Sequence, residues 1–333
     1  MKILLFARSF LPNIGGVESA TDSIARALVR RGHEVTLVTR TASAATDHVP
    51  YNLIRRPSAR RLFTVVRDCD ICFHNNISLR EAWPLLLAPR PWVIVHHIYL
   101  RHEHDKLKPA EKVKRLMLRW ARSIAVSTVV ARDLPVAAEV IPSAYRDDLF
   151  RLTNHGERSR DLAFLGRLIP EKGASLLISA LGRLRQRGLR PRLRVIGSGP
   201  EESRLWREVE LQGLQRQIEF VGSCEGEKLV TLLNDCRILV VPSLWAEPFG
   251  IVALEGIACG CAVVGSANGG LPDAIGPCGI TFPNGDEAAL ADRLAELLGD
   301  PARLSALRAP AAAHLARHTA DTIAEAWLRF AAG

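Results

Sequence analysis

A chain of 333 residues with 48% hydrophobic side chains is longer than one ordinary core and predicts two domains. No apolar run approaches the roughly 18 residues that cross a bilayer, and the start MKILLFARSF turns polar too early for a secretory signal, so a cytoplasmic protein is expected. The formal charge of +9 belongs to the first half, where residues 1–150 carry 23 Lys+Arg against 14 Asp+Glu; the remainder carries 21 against 21. That asymmetry predicts an anionic partner, while 6% aromatic content without a recognition motif argues against nucleic acid.

Lys2 to Ala7 reads as a buried opening strand, followed by a loop with Pro12, Asn13, Gly15 and Gly16. Val17 to Val29 has the pattern of an amphipathic helix closed by Arg30, Arg31 and Gly32, and Glu34 to Thr39 follows as a second strand. This is the βαβ opening of a Rossmann-like domain. It lacks G-x-G-x-x-G and an acidic residue ending the second strand, so it is not a dinucleotide fingerprint.

Residues 53–67, LIRRPSARRLFTVVR, interleave arginine with apolar side chains, and Lys106 to Arg122 form a second basic stretch with helical character after Pro109. There Leu116, Met117 and Trp120 share one face, with Lys108, Lys112, Arg115, Arg119 and Arg122 beside it. The segment suits either an anionic membrane surface or a core helix with a solvated basic side. Asp70 to His74 and Trp92 to His97 read as strands, the second ending in His96 and His97 at the carboxyl edge where ligands bind such sheets. Cys69 and Cys72 have C-x-x-C spacing without a second pair, so the seven cysteines are read as reduced and structural. Ser123 to Ser127 and Glu139 to Pro142 supply the last strands of this half.

The second half starts near Asp161 with DLAFLGRLIPEKG, a strand, a glycine turn, Arg167 and Lys172, then a new helix. Two cations at a strand end before a helix suit a diphosphate. Leu193 to Gly197, Gln217 to Val221, Ile238 to Val241, Ala262 to Gly265 and Gly279 to Phe282 continue as strands, with a helix over 227–234 and a closing helix over Thr319 to Phe330. The central stretch is Val240 to Asp273: a strand stopped by Pro242 and Ser243, a loop carrying Glu247 and Pro248, then a helix whose amides near Phe249, Gly250 and Ile251 favour an anion. Glu255 follows about a turn and a half into that helix. Two carboxylates accept hydroxyl hydrogen bonds on either side of a phosphate site, which suggests a nucleotide-sugar.

These segments resemble the retaining glycosyltransferases of family 4, which have the GT-B fold. The resemblance covers nearly the whole chain and is strongest at Gly15-Gly16, Arg167 to Gly173, Glu247 to Glu255 and Gly269 to Pro272. It implies two Rossmann-like doubly wound α/β domains facing each other: an acceptor-side domain over 1–150, a donor domain over 151–318, and a helix over 319–333 returning to the first. It also implies that Glu247 contacts donor sugar hydroxyls, Glu255 holds the ribose, and Gly15, Gly16, Gly197, Pro248, Phe249, Gly250 and Ile251 line the donor. Arg167 and Lys172 would neutralise the leaving nucleotide, and His97, with His96 as alternative, would lie by the reacting sugar.

Two departures stand out: Asp273 replaces a frequent glutamate, and Ser143 to Arg146 replace the usual Asn-Gly-x-Asp. The implied reaction is transfer from a UDP- or GDP-sugar to a hydroxyl of a glycan or lipid-linked acceptor, with retained anomeric configuration and no metal or other cofactor. An anionic membrane surface is the further partner expected. The competing expectations are a non-catalytic membrane-associated subunit that binds nucleotide-sugar or lipid, and a nucleotide-sugar epimerase on the same fold.

Overall fold

The computed structural model describes residues 1–13, 15–42, 48–100 and 109–333. In chain order the elements begin β1 (Lys2–Ala7), α1 (Gly16–Arg30), β2 (Glu34–Thr39), β3 (Asn52–Arg55), α2 (Ala59–Asp68), β4 (Ile71–Asn75), α3 (Leu79–Leu87), β5 (Trp92–His96), α4 (Pro109–Met117), β6 (Arg122–Ala125), α5 (Thr128–Asp133) and β7 (Ala138–Val140). They continue with β8 (Arg160–Leu165), α6 (Ala174–Gln186), β9 (Leu193–Ile196), α7 (Glu202–Leu211), β10 (Ile218–Gly222), α8 (Gly226–Asn234), β11 (Cys236–Val241) and α9 (Ile251–Ala258). The last are β12 (Ala262–Ser266), α10 (Leu271–Ile275), β13 (Gly279–Phe282), α11 (Glu287–Gly299), α12 (Pro301–Arg308), α13 (Ala311–Leu315) and α14 (Ala320–Ala332).

The chain divides into two compact units. The first comprises Met1–Arg146 with His318–Gly333, the second Asp147–Arg317. The first unit carries a seven-stranded sheet in the order β3-β2-β1-β4-β5-β6-β7, with every neighbouring pair parallel. Its central strands are continuous apolar runs because helices cover both faces; Ile3, Leu4, Leu5, Phe73 and Ile94 are almost wholly buried. In this unit α14 packs on α1. Arg30 and Arg31 pair with Asp321 and Glu325, and Trp327 stacks on Phe73 at 5.3 Å.

The second unit carries a six-stranded parallel sheet in the order β10-β9-β8-β11-β12-β13. Its core joins Leu162, Phe164, Ile238 and Val240 of the sheet to Leu177, Leu181, Leu290 and Leu294 of α6 and α11.

Local physics explains where the elements depart from the sequence reading. The arginine-rich run over 53–67 is the end of β3 followed by α2, in which Leu62 and Val66 are the buried residues, one turn apart, and the arginines take the outer face. Ser58 caps that helix by accepting from the Arg61 amide. Leu116, Met117 and Trp120 do not share one environment: Met117 is buried while Leu116 and Trp120 are 49% and 61% exposed. The chain tightens into a 3-10 turn over Leu118–Trp120, which puts Leu118 into the core beside Met117 and leaves Trp120 outside. Lys106, Leu107 and Lys108 of that stretch lie outside the described residues. Cys69 and Cys72 are both buried, with their sulfurs 3.3 Å apart.

Candidate active site

In an open parallel sheet, ligands bind beyond the carboxyl ends of strands where the strand order reverses. In the second unit that reversal falls between β8 and β11. Arg167 follows β8 and is exposed, with no ion pair among the described residues. Lys172 ends the short 3-10 turn Pro170–Lys172, and Ser243 lies two residues beyond β11. Gly173 lets these loops meet. Its φ is +70°, and a methyl group there would overlap the Pro242 carbonyl oxygen.

Glu247 is buried at the centre of this meeting point. Its Oε1 accepts from Lys172 Nζ at 2.6 Å and from Ser243 Oγ at 2.7 Å. The Lys172 ammonium also lies 5.7 Å from the centre of the Trp245 ring. The Glu247 backbone is clamped from the far side: its carbonyl accepts from the Gly270 amide at 2.6 Å, and it forms an isolated parallel bridge with Gly269. Gly269, at φ +90°, permits that approach because a side chain there would strike the Glu247 backbone. Ser266 Oγ and Asn284 Nδ2 both donate to the Ser243 carbonyl, at 2.7 and 3.0 Å.

Pro248 and Phe249 lead to Gly250, the N-cap of α9, and Ile251 is its first residue. The free amides of that end and the helix dipole favour negative charge. Glu255 is half-buried on α9, with Leu254, Ile257 and Ala258 buried beneath the helix. Gly197 immediately follows β9 and its amide donates to the Gly222 carbonyl.

In the first unit the reversal falls between β1 and β4. Gly15 is the N-cap of α1 and Gly16 its first residue, at the end of the loop after β1. His96 is the last residue of β5 and its Nε2 lies 3.2 Å from Ser123 Oγ on the next strand. His97 lies just past the strand: its amide donates to Asn76 Oδ1 at 2.8 Å and its Nε2 is 3.2 Å from Asn75 Oδ1 at the end of β4. Asn75 Nδ2 donates in turn to Thr21 Oγ1 of α1 at 2.7 Å. Burial pushes the His97 pKa down to about 4, reinforced by neighbouring His96; burial also pushes His96 to about 4, partly opposed by Asp133. Both imidazoles are therefore neutral at neutral pH.

Sequence reasoning missed Ser243 as a partner of Glu247, and Asn75, Asn76, Ser266 and Asn284 as supports. Ser243 is visible in the sequence only as the residue ending a strand, and the asparagines belong to no motif singled out there. Asp273 sits in the first turn of α10, where a negative charge is favourable. Among the described residues no group of three His, Cys, Asp or Glu side chains is placed to hold a metal ion, and no helix is long and apolar enough to cross a membrane.

Comparison with known proteins adds three findings. Residues 146–314 match the family model described as glycosyl transferases group 1, and residues 14–142 match glycosyltransferase family 4. The chain is 32% identical, over 94% of its length and 93% of the relative, to the GDP-mannose-dependent monoacylated alpha-(1-6)-phosphatidylinositol monomannoside mannosyltransferase of Corynebacterium glutamicum. It is 35% identical to the D-inositol 3-phosphate glycosyltransferase of Stackebrandtia nassauensis, over 76% of this chain and 66% of the relative. Among solved structures, Anabaena HepE in complex with UDP and glucose superposes with a TM-score of 0.82 at 21% identity, covering all of both chains. With two parallel doubly wound sheets and both family models matched in chain order, this chain belongs to the family 4 glycosyltransferases and has the GT-B fold.

Proposed function

We propose that the chain is a retaining, metal-independent transferase that moves a sugar from a UDP- or GDP-sugar to a hydroxyl of a lipid-linked or envelope glycan. The observation that carries this reading is the Lys172–Glu247 pair, 2.6 Å apart, beyond the carboxyl ends of β8 and β11. It supplies a cation for phosphate and a carboxylate for sugar hydroxyls at one place. The relatives support both halves of the substrate: the Corynebacterium enzyme is named for GDP-mannose and a phosphatidylinositol glycan, and the Anabaena structure contains UDP.

In the reaction, the bond between the anomeric carbon and the β-phosphate oxygen breaks as the acceptor oxygen bonds to the same face of that carbon. The acceptor's proton passes to the departing phosphate. Negative charge grows on the diphosphate, where Arg167, Lys172 and the free amides of α9 stabilise it; such fixed donors are worth about 10²–10³-fold each. Glu247 orients the sugar, and Glu255 binds the ribose. A neutral His97, its Nε2–H donated to Asn75, accepts a hydrogen bond at Nδ1 from a sugar or acceptor hydroxyl without adding charge. The basic first unit recruits the acceptor at an anionic membrane surface.

Thermal unfolding tests the donor site. At about 100 times its dissociation constant, the matching nucleotide stabilises the protein by about 2.7 kcal/mol, an upward shift of several degrees. One of UDP, GDP or ADP, or its sugar conjugate, is expected to give that shift with wild type and lose it with Glu255→Ala. A protein indifferent to all of them would sink the donor assignment. Radiolabelled transfer with product anomer analysis then tests retention, and inversion would refute the same-face step.

A further inference from the structure

The first unit has a cavity of about 350 Å³ at the end of its sheet opposite His96 and His97. It is formed where β5 and β6 begin, by Arg90 and Trp92 on one side, Arg119, Trp120 and Arg122 on the other, and Ala331 of α14. Its position on β5 separates it from His96 by the length of that strand, about 13 Å at 3.3 Å per residue. No acidic residue lines it among the described residues. The Arg90 guanidinium donates to the Arg67 carbonyl, that of Arg122 lies 4.0 Å from the centre of the Phe330 ring, and that of Arg119 has no hydrogen-bond or ion-pair partner among the described residues. The Asp68 carboxylate, which feels the Arg90 charge, is already paired with Arg67 at 2.8 Å.

Three guanidinium groups around one cavity repel each other unless an anion joins them, and their planar forks suit phosphate oxygens. The cavity also opens beside an apolar stripe. Val113, Leu116 and Trp120, spaced at three and four residues, are 46%, 49% and 61% exposed. Buried Met117 and Leu118 anchor the same segment to the core. Trp120 belongs to both features, so cationic cavity and apolar stripe form one surface. That pairing of exposed tryptophan and aliphatic side chains with arginine suits the boundary between headgroups and acyl chains.

We propose that this cavity is a second anion site, binding the phosphate-bearing headgroup of an anionic membrane lipid while Val113, Leu116 and Trp120 enter the interface. It deepens the membrane reading above by naming the attachment site, and it is chemically separate from sugar transfer.

The test is co-sedimentation of the full chain with phosphatidylcholine vesicles containing or lacking phosphatidylglycerol. Wild type is expected to bind only the anionic vesicles. Each arginine near a membrane surface is worth roughly fivefold, so Arg90→Ala with Arg119→Ala should weaken binding on the order of 25-fold. Trp120→Ala should weaken it as well. Arg60→Ala with Arg61→Ala removes the same charge from exposed positions on α2; an equal loss in that control would mean diffuse attraction and overturn the site. Wild-type indifference to phosphatidylglycerol overturns it too. Inorganic phosphate that raises the thermal midpoint through Arg90 and Arg119, without vesicle binding, would assign the cavity to a free phosphate compound and overturn the lipid assignment. Because no nucleotide-sugar is present, these outcomes are independent of the donor-site test, and an unchanged nucleotide-induced thermal shift confirms that each variant is folded.

Discussion

Beyond the carboxyl ends of β8 and β11 a lysine and a buried glutamate share a 2.6 Å hydrogen bond, whereas beyond β4 and β5 two buried histidines sit among asparagine and serine side chains. The first crevice is built around charge, with backbone segments brought into close contact at Gly173 and Gly269. The second is built around neutral polar groups, tied through Asn75 to Thr21. The first stands at the strand reversal of its sheet and the second one strand over from the reversal between β1 and β4, so neighbouring positions of the same topology have been filled with opposite electrostatics. A group that must meet a diphosphate needs fixed cations; a group that must lie against sugar hydroxyls is served by uncharged donors and acceptors. The histidines achieve this by burial, which costs the charged form more than the neutral one.

The sharpest way to break the charged crevice is at its backbone. Gly173→Ala adds left-handed strain and a clash with Pro242, and is expected to cost about 3–5 kcal/mol, read as a drop in the urea midpoint. An unchanged midpoint would show that the loops are free to move apart. Next comes Lys172→Ala, which leaves Glu247 buried without its cation. Transfer should fall about 10²–10³-fold, with kcat affected more than KM. A change confined to KM would instead mark Lys172 as a ground-state contact.

The neutral crevice responds to acid. His96 and His97 are held near 4 and buried His74 near 3, all below the usual value of about 6.5. The unfolded chain therefore takes up protons before the folded one as pH falls. Stability from these groups is complete above about pH 6.5 and declines towards pH 4, by roughly 1.4 kcal/mol per pH unit for each histidine. His97→Gln should flatten that slope in denaturant titrations between those limits, and an unchanged slope would mean that His97 is solvated. The smallest effect is expected from Asn75→Ala. It removes one partner of the His97 ring and should cost about 1 kcal/mol, with a shifted acid limb in the transfer pH profile; loss of stability without that shift would leave Asn75 a purely structural residue.

Strand apolar runs and helix periodicity made much of the fold legible. The strands over 2–7, 34–39 and 279–282 lie where the pattern placed them, because a parallel strand covered on both faces has little choice but continuous apolar sequence. The basic run over 53–67 was less legible, since arginines on the outer face of α2 obscure two buried positions, Leu62 and Val66. Of the candidate site, Arg167, Lys172, Glu247 and Glu255 could be named from their motifs. Their mutual geometry could not, because Lys172 and Glu247 are separated by 75 residues.

By itself, then, the sequence determined the alternation of strands and helices, the two-unit division and the chemical types at the candidate site, because these depend on local periodicity and short motifs. Only the tertiary structure decided that Ser243 shares Oε1 of Glu247 with Lys172, that the Asn75 side chain holds the ring of His97, and that Trp120 faces outward beside Arg119 while Met117 turns in. Those outcomes depend on which loops a folded sheet brings to one edge and on how a helix rolls against its core. Neither is written in the spacing of residues along the chain.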